Sequence, residues 1–150
     1  MEKKEEKEKA VRLHSQKSGR SADRRRMQPM ISGRKSRWRS PRQTPGYAVG
    51  EIVLKPWHMN ILGIVHGGVL YSLADTVGGT AAMTGRDYAV PTVDGTIHYL
   101  KAGKNTSKII ARAQEIQNGY AFSVCECKIY DDKETLLASA TMTYYHLRKR

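Results

Sequence analysis

Two cysteines are all the chain has, and their placement excludes most of what cysteine does. Cys125 and Cys127 stand two apart in a strand-like run, so alternation puts both side chains on one face. They are too close in extended backbone for a relaxed disulfide, and no second pair completes a zinc site. Small buried strand residues in a reducing compartment is the reading that remains, and the expected location is cytoplasmic. His58, His98 and His146 have no ligand-like spacing with a cysteine or an acid, so neither a metal nor a cofactor is expected. A long apolar run is missing too. The least polar stretch, Ile61 to Ala82, is broken by His66, Ser72 and Asp75 and holds five glycines, which makes it a poor membrane span. The opening MEKKEEKEKA has no apolar signal core, and its four glutamates disfavour a transit peptide. No Ser-His-Asp or Cys-His set is apparent.

Base, not acid, is unevenly spread along the chain. Residues 1–50 hold 15 Lys+Arg against 5 Asp+Glu, net +10, whereas residues 51–150 hold 11 against 9, net +2. Most of the overall +12 is therefore in the first third. That third has almost no apolar periodicity and cannot bury enough surface to offset its chain entropy. Residues 1–45 are expected to be a disordered basic extension, with a short helix over Glu2–Leu13 conceivable from Glu/Lys pairing. Trp38, among arginines, is the one aromatic there that could stack on a base. Residues 46–148 form the single domain, of a size that supports one core.

Within that domain YAVGEIVLKP has strand composition and ends at Pro56. From Val69 to Ala82 the apolar residues recur at steps of three and four, which predicts a helix. Four strand-like runs follow. In PTVDGTIHYL, Val93, Ile97 and Tyr99 alternate against Thr92, Asp94, Thr96 and His98. TSKIIARAQEI comes after the turn AGKN, Asn118–Gly119 signals a hairpin into YAFSVCECKIY, and DDKE leads to TLLASATMTYYHL. Strand, long helix and four antiparallel strands make an α+β domain with a sheet curled around one helix.

That helix carries one acid. Gly67 and Gly68 stand at its start, where the first N–H groups have no helical partner and the dipole favours an anion or a polarised carbonyl oxygen. Asp75 follows two turns later on roughly the same side. An unpaired carboxylate on an apolar helix is costly to bury, so such a group is either paired or kept for chemistry. By default Asn60 is a turn or capping residue and His66 a hydrogen-bonded structural histidine. Gly78–Gly79 is read as close helix–sheet packing.

HMNILGIVHGGVLYSLADTVGG strongly resembles the signature of hotdog-fold acyl-CoA thioesterases of the phenylacetate-pathway type, and TVDGTIHYLKAG, the Gly119 hairpin and LLASATMTYYHL also look like that family's strands. The resemblance covers roughly residues 46–148. It implies an antiparallel sheet wrapped around one long helix. It further implies a homodimer or homotetramer with active sites at the dimer interface, and hydrolysis of an aryl- or acyl-CoA thioester. Carried over by position, Gly67 offers its N–H to the thioester carbonyl and Asn60 orients water or substrate. Asp75, reaching in from the other protomer, is general base or nucleophile; Thr92 helps hold the water and His66 supports the loop. Gly68, Lys101 and Lys104 are the candidate substrate contacts, the lysines for CoA phosphates. The chain departs from relatives where they carry an apolar helix ahead of the first strand, and at Gly95, which would widen the acyl pocket or mark a bulge. A non-catalytic acyl-CoA-binding regulator whose basic tail contacts nucleic acid is the alternative, disfavoured because residues 1–46 lack the repeats of a helix-turn-helix. A hotdog dehydratase fits the Leu-Ala-Asp motif less well.

Overall fold

The computed structural model describes residues 44–147. The extension expected over residues 1–45, with Glu2–Leu13 and Trp38, lies outside the described residues except for Thr44 and Pro45. The elements are β1 (Tyr47–Val53), a single 3-10 turn (Pro56–His58), α1 (Gly67–Met83), β2 (Thr92–Tyr99), β3 (Lys108–Asn118), β4 (Phe122–Asp131) and β5 (Leu136–Tyr145). All five strands form one antiparallel sheet in the order β1-β3-β4-β5-β2. The α+β class is therefore as expected. The meander is β3-β4-β5 only, and β2 lies beyond β5 as a free edge strand.

The helix seats on the sheet because the strand residues facing it are small. Ala48, Ala111, Ala113, Cys125, Cys127, Ala138 and Ala140 are buried beneath Leu70, Leu73, Ala74, Val77 and Ala81 of α1. Burial of side chains such as Leu73 and Val77 stabilises by roughly 1.5–3 kcal/mol each. Gly78 marks the closest approach. A Cβ there would collide with the Tyr144 hydroxyl and lie 3.0 Å from Cys127 Sγ. The Tyr144 hydroxyl instead donates to the backbone carbonyl of Asp75 at 2.8 Å, pinning the helix where its acid sits.

The strict alternation expected for β2 does not hold. Its pairing with β5 slips between Thr92 and Asp94, leaving Val93 as the extra residue of a bulge. Thr92, Gly95, Ile97 and Tyr99 stand opposite Tyr144, Met142, Ala140 and Ala138, the buried residues of β5. Directly opposed residues share a face. Thr92 thus joins Ile97 and Tyr99 on the inner face instead of opposing them, and Val93 is exposed. The bulge is at Val93, not at Gly95.

Candidate active site

The N-terminus of α1 is built by two local bonds. His66 is the N-cap and its Nδ1 accepts the Gly68 N–H at 2.9 Å, which satisfies one of the first-turn donors. The Asn60 side-chain oxygen accepts from the N–H groups of Leu62 (2.9 Å) and Ile64 (3.3 Å), closing the loop that leads to His66. Tyr99 was not foreseen in this site. Its hydroxyl donates to the Gly67 carbonyl at 3.1 Å, and a Cβ at Gly67 would lie 3.1 Å from its ring. The two glycines therefore make room for neighbours, Tyr99 at Gly67 and the His66 ring at Gly68. The Gly67 N–H precedes the first intrahelical bond and has no acceptor among the described residues. A shallow cleft beside it is lined by Asn60, Gly67, Leu70, Tyr99, Lys101 and Gly103.

Asp75 is half-buried, two turns along, on the side of α1 that faces β2. Thr92 Oγ1 donates to its Oδ1 at 2.6 Å, the short distance of a charge-assisted bond. Among the described residues the Thr92 hydroxyl is the group that orients the carboxylate. Three contacts set the register of helix against strand: Gly67 with Tyr99, Tyr71 with Gly95, and Asp75 with Thr92. Within one chain the structure joins Asn60, Gly67 and Lys101 at one cleft and Asp75 with Thr92 at another point. The two groups lie eight residues apart along α1, about 12 Å on the axis. Lys104 is exposed and does not line the cleft.

The fold does bring a serine, a histidine and an acid together, which the sequence did not indicate. Ser123 Oγ lies 2.6 Å from His146 Nε2 and also bonds Glu115 Oε1. Glu115 Oε1 is in turn paired with Arg86 at 2.8 Å. It is not arranged for nucleophilic catalysis. The acid meets the serine rather than the histidine, His146 Nδ1 turns to the Tyr120 carbonyl at 3.2 Å, and Ser123 is fully buried. These residues come from β3, β4 and the segments just after α1 and β5, so spacing could not have revealed them. Burial pushes the thiols of Cys125 and Cys127 up to about 12, which keeps them protonated and unreactive. Among the described residues no group of three or more His, Cys, Asp or Glu is placed to hold a metal ion, and no helix is long and apolar enough to cross a membrane.

Comparison with known proteins bears on the fold and the family. The family described as the thioesterase superfamily matches residues 62–138, 77 of the 150 residues. A curated protein of Archaeoglobus fulgidus, provisionally described as an esterase, is 30% identical over 104 residues, 69% of this chain and 67% of that protein. The Escherichia coli PaaI protein from the phenylacetic acid degradation operon superposes with a TM-score of 0.65 at 25% identity, covering 69% of this chain and 75% of that one. A Streptococcus mutans protein solved with acetyl CoA superposes with a TM-score of 0.69 at 21% identity over 75% of this chain and 90% of its own.

Proposed function

The chain belongs to the thioesterase superfamily and is a thioester hydrolase of the hotdog fold, and from that premise we propose that it hydrolyses a small aryl- or acyl-CoA thioester to the free acid and CoA. The observation that carries this reading is the Asp75 carboxylate held by Thr92 on the same helical stripe as the open amide of Gly67. In the proposed reaction Asp75 takes a proton from water as the water oxygen attacks the thioester carbon. Oxygen charge develops at the Gly67 N–H, where the helix dipole and a preorganised donor stabilise it. Collapse expels the CoA thiolate, which recovers a proton, and leaves the carboxylic acid.

One chain does not place both groups on one carbonyl, because they stand about 12 Å apart along α1 and each must come within roughly 3 Å of the reacting atoms. We therefore assign the reaction to a composite site. Asp75 and Thr92 come from one protomer; Gly67, Asn60 and the cleft with Lys101 come from its partner in a homodimer or a dimer of dimers. The free edge of β2 suits such an association. The Asn60 oxygen is engaged in its own loop, so its part in the site falls to the side-chain NH₂. Acetyl CoA in the Streptococcus mutans protein supports a CoA thioester as substrate. The two free buried thiols suit a reducing compartment such as the cytoplasm.

Thiol release from a panel of aryl- and alkyl-CoA thioesters tests this with wild type and Asp75→Asn. The expected loss in kcat is about 10²–10⁴-fold with an unchanged thermal midpoint. Undiminished turnover in the variant, or none in the wild type, rejects the assignment.

A further inference from the structure

Between the open amide and the acid, the helical stripe carries a tyrosine. Tyr71 lies one turn after Gly67 and one turn before Asp75, and it is half-buried. Its hydroxyl crowds the point where a Cβ at position 95 would stand, and the Met142 sulfur lies 2.6 Å from that same point. Gly95 is on the inner face of β2, opposite Met142. The tip of the tyrosine therefore reaches the strand backbone at this glycine. A Cβ there would force the hydroxyl to shift.

Resting on the thioesterase reading, we propose that the Tyr71–Gly95 pair is the acyl-size determinant of the site. If the CoA arm enters beside the partner's Gly67, the acyl group leaves the carbonyl on the opposite side and runs along this protomer's helix from Asp75. Toward the C-terminus the way is closed: Tyr144 packs against Gly78 and Gly79, and Ala81 and Ala82 are fully buried. Toward the N-terminus the acyl group meets the Tyr71 ring. The interval from Asp75 to Tyr71 is four residues, about 6 Å along the axis. That admits a compact or planar acyl group and stops a long alkyl chain. Gly95 holds the pocket at this size by leaving room for the Tyr71 hydroxyl, and a side chain there would push the ring toward the acyl group.

The test is calorimetric binding of non-hydrolysable S-alkyl-CoA thioethers, butyl to decyl, to the full chain, which does not depend on turnover. Tyr71→Ala is expected to raise the affinity ratio of octyl to butyl by about tenfold or more, the scale on which methylenes discriminate in apolar pockets. Gly95→Ala is expected to lower it by a similar factor. In Gly95→Ala/Tyr71→Ala no ring remains to displace, so the ratio should return to that of Tyr71→Ala alone. Thermal midpoints establish that each variant folds. Should Gly95→Ala fail to fold, the Tyr71→Ala ratio decides by itself. A chain-length profile unchanged in folded variants, or no binding of any thioether by wild type, overturns the proposal. Absence of thiol release alongside a shifted binding profile would reject hydrolysis and leave the size determinant standing.

Discussion

Thr92 donates a 2.6 Å hydrogen bond to the carboxylate of Asp75, and it reaches that carboxylate because β2 bulges at Val93. Without the extra residue, strict alternation from Tyr99 through Ile97 and Gly95 would put Val93 on the inner face and Thr92 on the outer one. The bulge re-aims the hydroxyl at the one acid on the helix. Thr92→Ala should lower kcat by about 10–100-fold with little change in KM. Thr92→Ser, which keeps the donor, should retain most of the activity. Equal loss in both would mean that the methyl group's packing matters and not the bond. Steady-state kinetics on the best CoA ester reads the difference.

The close contact at Gly78 is a stability element. Gly78→Ala places a methyl group against the Tyr144 hydroxyl and Cys127 Sγ. The cost should be about 1–3 kcal/mol, the range for overpacking a full core, measured by urea unfolding. In a Tyr144→Phe background the penalty should shrink, because the atom in the way has gone. The phenylalanine itself should cost about 1 kcal/mol through the lost bond to the Asp75 carbonyl.

Ser123 is a structural residue in spite of its histidine. Ser123→Ala should leave turnover within a few-fold of wild type but destabilise by roughly 1–3 kcal/mol, since Glu115 and His146 lose a buried partner. Labelling of wild type by a serine-directed phosphonate would contradict this.

Acid should loosen the turn between β4 and β5. The Asp132 carboxyl accepts the N–H and hydroxyl of Ser107 at 2.8 and 2.7 Å, and these bonds hold its pKa below the ordinary value. The Glu134 carboxyl is likewise held low by its bond to Arg112. A depressed carboxyl contributes stability that is present above its unfolded pKa and is lost as pH falls through the folded one. The thermal midpoint should therefore drop below about pH 4, and less so in Asp132→Asn. Both groups are exposed, so the effect should be small and reduced by salt.

Much of this domain is legible in its sequence. Apolar periodicity over Val69–Ala82, with Gly67 and Gly68 at the start, predicts the helix that runs Gly67–Met83, capped by His66. The tight packing expected at Gly78–Gly79 is met by Tyr144. Less legible were contacts between elements far apart in the chain. Nothing near Tyr99 indicates that its hydroxyl would hold the Gly67 carbonyl 32 residues away. Glu115, Ser123 and His146 each fall in a different strand-like run, and nothing in those runs marks them as partners.

Local residue chemistry determined the elements by itself: apolar steps of three and four for α1, β-branched runs and turn residues for the strands, and one carboxylate on an apolar helix as the mark of a site. These depend on periods of 3.6 and 2 that neighbouring residues carry among themselves. The tertiary structure decided which face Thr92 takes, that β2 lies beyond β5, and that the Tyr71 hydroxyl meets Gly95. Each of those depends on backbone hydrogen bonds and close packing between segments distant in the chain, where a one-residue slip exchanges the faces and no local period records it.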